Sequence, residues 1–313
     1  MLCFDKFKLV CNNIEYISNI KENVFISHYK GEELLYYKYQ QNTPYSLLIM
    51  VDYRKHELVL EFTSKVLGEE CINLINQQNI RTCLMNINSL SICLLDIDNI
   101  LISAKVVKCD VTRDISVDDL ANVIQHIRSN LSNFRKWICR EYTNGIVIEN
   151  TVATNRHKKR LIIYNKEKEL MKATNSNFLN SLSDKEKVVC HFHGKVRFEL
   201  NISTMAQMRT LLLIEDNRLK EVLASTANPI FTVVDEALKK PSKENCICTN
   251  LRDYERELLL KSCDYDLIKV EMTIRALISP NTSIRRIMQP YRDLYQRLMS
   301  SSKSDIDIRT LVV

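Results

Sequence analysis

Three stretches of this 313-residue chain gather side chains able to do chemistry. Lys105-Val-Val-Lys-Cys-Asp110-Val-Thr-Arg-Asp114 reads as a strand that runs into carboxylates. Arg156, His157, Lys158, Lys159 and Arg160 form a basic turn; an apolar run follows and ends in Tyr164, with Lys166 two residues on and Glu169 three further. Lys195-Val-Arg197-Phe-Glu199 puts a guanidinium and a carboxylate on one face, because extended residues two apart share a side. Asp110, Glu169 and Glu199 are hard oxygen donors suited to Mg2+ or Mn2+. Tyr164 and Lys166 set a phenol beside an ammonium group, and the basic turn could grip phosphates. Singly, each stretch also has a plain structural use: a strand ending in Asp, a solvated loop, a cross-strand ion pair.

A second constellation competes with the first. His191-Phe192-His193 places two imidazoles at i and i+2 of an expected strand, where they could share one ion. Tyr291 and Tyr295 stand at i and i+4 of an expected helix. On a single strand His193 and Glu199 would lie about 20 Å apart, so the histidine and acidic metal schemes exclude each other.

In their order along the chain, these stretches resemble the replication initiators encoded by gene II of filamentous phages, a family with relatives on phages and plasmids. Asn150-Thr-Val through Tyr164-Asn-Lys166-Glu-Lys-Glu169-Leu matches its Thr-Val strand, basic turn, Tyr-x-Lys element and following Glu. Val196-Arg197-Phe198-Glu199 matches its Arg-Phe-Glu element, and Lys108-Cys109-Asp110 stands where Arg-Ile-Asp is usual. The likeness covers roughly residues 100–215 and returns faintly in Pro290-Tyr-Arg-Asp-Leu-Tyr-Gln-Arg-Leu298.

The resemblance implies an enzyme, a rolling-circle nicking and joining endonuclease. Tyr164 would attack one strand at a phage or plasmid origin and hold the 5′ phosphate as a phosphotyrosine intermediate. Lys166 would assist it, Asp110, Glu169 and Glu199 would hold the ion, and residues 156–160 with Arg197 would bind DNA. Its partners would be single-stranded or supercoiled origin DNA, with a host helicase and polymerase, in a bacterial cytoplasm. His191-Phe-His193 is itself similar to the metal strand of the wider nickase and relaxase superfamily, so a conjugative relaxase or transposase using Tyr291 or Tyr295 is one alternative. A non-catalytic protein that binds single strands is the other.

The elements that must position these groups can also be read. Residues 24–29, 34–39, 46–53 and 57–63 are rich in Val, Ile, Leu, Tyr and Phe between polar turns, which predicts an antiparallel meander. A helix is expected near 68–79, a strand over 100–111, and a helix behind Ser116-Val-Asp-Asp119, with Leu120, Val123, Ile124 and Ile127 at helical spacing. Strands are expected over 135–153, 160–165 and, from strict alternation, 190–200. From about residue 203 the pattern turns helical, with segments at 204–214, 218–224, 229–239, 250–262, 265–278 and 283–299. The expected fold is α+β: an antiparallel sheet with helices on one face, of the Rep (HUH) nuclease kind, in residues 1–202, then a helical domain over 203–313. No internal repeat is visible.

Composition narrows the remaining choices. With 45% hydrophobic and 26% charged residues the chain can bury a real core. Its 4 glycines exclude the Gly-rich phosphate cradles of nucleotide-binding folds. A net charge of +6 suits an anionic partner without specifying one. The 11 cysteines lack a CxxC pair, which predicts reduced thiols. Charges interrupt the N-terminal residues before any signal-like apolar run, and no stretch is long enough to span a membrane.

Overall fold

A computed structural model describes residues 2–117, 124, 127, 131, 137–151, 158–238, 248, 250–279, 283–300 and 312, the last two residues of 283–300 in backbone only. Strand β1 (Phe4–Cys11) alternates buried Phe7, Leu9 and Cys11 with Lys6 and Lys8 on its other side. This is the period-two pattern of a strand with one face on a core. Short β2 (Ile17–Ser18) follows, and then the expected meander: β3 (Ile26–Lys30), β4 (Glu33–Gln41), β5 (Leu47–Asp52) and β6 (Glu57–Thr63). A 3-10 segment over Ser64–Asn73 leads to α1 (Ile80–Ser89), β7 (Leu94–Leu95) and α2 (Ile97–Ser103). The second half begins with β8 (Lys105–Ser116) and adds β9 (Trp137–Tyr142), β10 (Gly145–Asn150), β11 (Arg160–Asn165) and β12 (Lys195–Ile202). Three short helices stand between its last two strands: α3 (Lys166–Leu170), α4 (Ser176–Ser181) and α5 (Lys185–Phe192).

Ten of these strands form one antiparallel sheet in the order β3-β4-β5-β6-β1-β8-β12-β11-β10-β9. Outward from the centre, the two halves read β1-β6-β5-β4-β3 and β8-β12-β11-β10-β9. Each half places its first strand centrally, crosses to the edge, and returns inward through three antiparallel pairings, the last of which in the second half is bridged by α3 to α5. Because β1 and β8 run antiparallel, the halves are related by a pseudo-two-fold between those strands. The sheet is thus an architectural duplication that leaves no repeat in the sequence.

Leucine, isoleucine and phenylalanine side chains from both halves line one face of the sheet. Helices α1, α2, α6 (Met205–Leu211), α7 (Leu219–Ala224) and α8 (Pro229–Ala237) cover it and share its core. Each large apolar side chain fully buried there contributes about 1.5–3 kcal/mol. The expected domain boundary at residue 203 therefore does not mark a break in the core. Met208, Leu211, Val222, Ile230 and Val233 belong to the main core. A separate core lies further on, where α9 (Leu251–Ser262), α10 (Leu267–Leu277) and α11 (Ile284–Ser300) pack on Leu260, Val270, Leu294 and Tyr295.

Four local expectations change. Residues 190–200 are not one strand: Asp184 caps α5 by accepting from the Lys187 N–H, Val188 and Phe192 bury one turn apart, and Gly194 breaks out at φ +63° before β12 begins. Alternation holds only from Lys195 onward. The strand expected over 100–111 is displaced because Asp96 caps α2, so β8 starts at Lys105. The helix expected at 68–79 is the 3-10 segment, interrupted at Gly68 (φ +62°), with α1 beginning later. Residues 135–153 split into the β9–β10 hairpin around residues 143–144. Of the helix expected after Ser116, only Ile124 and Ile127 lie among the described residues, both helical. The described cysteines are free thiols, and no helix among the described residues is long and apolar enough to cross a membrane.

Candidate active site

The second face of the sheet is polar, and the groups singled out in the sequence meet on it. Register fixes the neighbours: Tyr164 on β11 lies opposite Arg197 on β12, which lies opposite Asp114 on β8. Two residues on, Glu199 lies opposite Thr112, and Asn201 lies opposite Asp110. All seven side chains therefore share one face. Helices α3 to α5 cap this face at the tyrosine end with a small core of Leu170, Phe178, Val188 and Phe192 against Cys71. Helices thus stand on both sides of the sheet here, not on one.

Tyr164 is 8% exposed, and its hydroxyl donates to Glu199 Oε2 at 3.1 Å. The site has an arginine at its base. Arg197, 1% exposed, donates through Nε and Nη2 to the two oxygens of Asp114, both at 2.7 Å, and through Nη1 to Asp5 at 2.8 Å. Ser64 donates to the same Asp5 oxygen at 2.8 Å. The Phe192 ring lies 5.3 Å from the guanidinium carbon, a cation–π contact that helps desolvate it. Against the upward push of burial, Arg197, assisted by Lys166, Ser64 and Lys65, holds the Asp5 carboxyl at about 2.

Glu199 is the opposite case. Burial first, then the Asp5 and Asp110 carboxylates, push it up to about 7. Burial likewise raises Asp110, which accepts from Asn201 Nδ2 at 2.8 Å. Burial also raises the Tyr164 phenol well above its usual value, with Arg197 opposing. Lys166, expected to assist the phenol, is directed elsewhere. Asn165 caps α3 by accepting from the Lys168 N–H, so Lys166 opens a helix instead of extending the strand. Its ammonium donates to Glu169 Oε2 at 2.9 Å and lies 5.8 Å from the centre of the Tyr164 ring.

That helix brings Glu169 to the site, but the metal role expected of it does not fit. Its other oxygen accepts from Asn175 Nδ2 at 3.2 Å, and Asn175 Oδ1 accepts from Lys65 at 2.6 Å. Both Glu169 oxygens are therefore taken by protein donors. Among the described residues, no group of three His, Cys, Asp or Glu side chains is arranged to hold a metal ion. Asp110 and Glu199 fit a divalent cation better: they are a buried and a half-buried hard-oxygen donor, and both are raised partly by neighbouring carboxylates, a cost a cation would relieve.

The remaining expectations divide. Arg160 is exposed on this face, with Nη1 3.5 Å from Asn201 Oδ1, and Lys158 pairs with Glu149 at 3.0 Å. Lys159 turns away to Glu236 on α8 at 2.6 Å, which makes it a structural tie. Arg156 and His157 lie outside the described residues. The histidine pair does not converge: His191 sits on a helix with Nε2 2.7 Å from Lys195, and His193 faces Glu167 at 3.2 Å. Tyr295 is buried in the second core and Tyr291 packs against it, so neither presents a free hydroxyl face. Apolar packing explains that helical pair.

Asp5, Ser64, Lys65, Asn175 and Asn201 belong to the site without having been singled out, and so does Tyr142. Tyr142 and Tyr164 both lie opposite Gly145 in register, and Tyr142 is 40% exposed. A Cβ at Gly145 would collide with the Ile163 carbonyl oxygen and stand 2.7 Å from Tyr164 Cβ. The glycine is therefore required for β10 to approach the tyrosine. The only signal in sequence was alternation: Asp5 interrupts an apolar-charged pattern, and Gly145 is one of four glycines in the chain. Comparison of the chain with protein-family models and with curated protein sequences finds no match.

Proposed function

We propose that this protein nicks and rejoins one strand of DNA through Tyr164, as a rolling-circle replication initiator with a Rep (HUH) nuclease-like sheet. One observation carries the reading: the hydroxyl of buried Tyr164 donates to a half-buried carboxylate, Glu199, beside the Arg197 guanidinium. In the forward step the phenol oxygen bonds to phosphorus and the bond from phosphorus to the 3′ oxygen breaks. Glu199 accepts the phenol proton, and the departing 3′ oxygen ends as a hydroxyl, so charge and protons balance. One phosphodiester replaces another, which lets the reverse attack reseal the strand without a nucleotide cofactor.

A high phenol pKa is a barrier that the site must offset. A carboxylate within hydrogen-bond reach supplies general-base assistance, typically worth about 10²–10⁴-fold. Arg197 places fixed positive charge beside the oxygen as it loses its proton. Asp110 and Glu199 are the residues that would hold Mg2+ or Mn2+, which would neutralise non-bridging phosphate oxygens and keep both carboxyls ionised. Exposed Tyr142 offers a ring on which a flanking base can stack.

The test is adduct formation. With Mn2+ and labelled single-stranded oligonucleotides carrying candidate origins, the wild-type chain should yield a protein–DNA species that survives boiling in detergent. Tyr164→Phe should abolish it, and Tyr291→Phe and Tyr295→Phe should not. An adduct that persists in Tyr164→Phe overturns the assignment.

A further inference from the structure

We infer that three lysines on the central strands, Lys6, Lys8 and Lys108, form a phosphate track that carries the DNA strand away from Tyr164 across the join between the two half-sheets. The inference rests on the nicking reading for the identity of the polymer. Lys8 on β1 and Lys108 on β8 lie directly opposite each other in register, and Lys6 lies opposite Asp110. Like charges directly opposite across two strands destabilise a sheet, and the middle of a ten-stranded sheet is a costly place for them.

The local acids do not balance the three. Among the described residues, Glu61 on β6, opposite Lys8, is the carboxylate that forms ion pairs with them: it pairs with Lys6, and its second oxygen lies 3.5 Å from Lys8. Against burial, Lys6, then Lys8 and Lys108 hold Glu61 below its usual range, so Glu61 answers to all three ammonium groups, two of which, Lys108 and Lys6, also act on Asp110. Asp110, the other acid nearby, is raised by burial and already accepts from Asn201. An anion laid over Lys8 and Lys108 removes the repulsion.

The placement suits a continuous strand. Lys108 precedes Thr112, the residue opposite Glu199, by four positions on β8, about 13 Å at strand rise. That is a few nucleotides along an extended chain, and Asp110 lies between. Sequence-independent phosphate contacts of this kind set affinity and register.

Binding of the full chain to a fluorescein-labelled oligodeoxynucleotide, followed by anisotropy in the presence of a chelator, tests the track without any nicking. The double variant Lys8→Gln with Lys108→Gln should lose about tenfold in affinity, and its logarithmic salt dependence should fall by about 0.7 per lysine removed. Its thermal midpoint should equal or exceed that of the wild type, because a like-charge pair is gone. Lys187→Gln, at an exposed pair with Glu70 on the cap, should change neither affinity nor salt slope. Wild-type affinity and slope in the double variant overturn the track, as do absence of single-strand binding by the wild type and a defect confined to duplex DNA or poly-glutamate. Lysine-dependent binding together with no adduct at any origin would keep the track and remove the nicking reading.

Discussion

The two halves of the sheet share one strand order and differ in what they put on the polar face. The β11–β12 pair presents Tyr164, Arg197, Glu199 and Asn201, whereas the equivalent β5–β6 pair presents Leu48, Met50, Val59 and Glu61. The tyrosine and the guanidinium stand on one copy only. The other copy is not idle, because Asp5, held by the Ser64 hydroxyl, reaches across the join to Arg197, and Lys65 reaches Asn175. The first half thus supplies one of the two counter-charges, Asp5 beside Asp114 of β8, that let a guanidinium stay buried beneath the tyrosine. A buried ion pair is poor evidence for stability in itself, since desolvation offsets much of its attraction. Here it ties the two halves together beneath Tyr164, and its removal should show the asymmetry between them.

The largest effect is expected at Arg197. Arg197→Met leaves Asp5 and Asp114 facing each other without their cation and should cost about 3–5 kcal/mol in urea unfolding. Glu57→Met, near the start of the equivalent strand β6, should stay within about 0.5 kcal/mol. Equal losses would show that the halves are energetically alike at this position. Next comes Gly145→Ala: the added methyl strikes the backbone of β11 at Ile163 and crowds Tyr164. It should cost about 1–3 kcal/mol and abolish adduct formation even where the protein remains folded at low temperature. Full adduct yield in a folded Gly145→Ala protein would show that tyrosine placement tolerates a shift of β10.

The legible part of this molecule was its local periodicity. The meander of β3 to β6 and the helices after residue 203 follow from apolar spacing within single segments. What sequence could not give was pairing at a distance. Asp5 and Arg197 are 192 residues apart, and nothing in either segment announces the other. The alternation over 190–200 misled for a related reason: Val188 and Phe192 satisfy a helical stripe while Phe192 and Val196 fit a strand. Only the backbone freedom of Gly194 decides where one ends. His191 and His193 lost their shared face at that residue. The duplication was illegible because each half repeats a connectivity, not a set of side chains.

The finest comparison is between the two glutamates that β6 and β12 place on the polar face. Glu61 is held below its usual range by lysines, and Glu199 is pushed up to about 7 by burial and neighbouring carboxylates. Their contributions to stability must then run in opposite directions with pH. A group lowered in the folded state stabilises above its unfolded pKa and loses that contribution as pH falls. Glu61→Gln should therefore cost about 0.5–1 kcal/mol at pH 7 and nothing measurable near pH 3. A group raised in the folded state binds its proton more tightly when folded, so stability falls as pH rises from the unfolded value of 4.5 through about 7. Glu199→Gln should accordingly unfold at higher denaturant than the wild type at pH 8, by roughly 3 kcal/mol, and at the same denaturant at pH 4. Saturating Mg2+ should shrink the pH 8 difference, because a cation held at Asp110 and Glu199 stabilises only the wild type. If Glu199→Gln lowers stability at pH 8 without metal, the carboxylate is already balanced by charges nearby, and its role as a strained proton acceptor for Tyr164 fails.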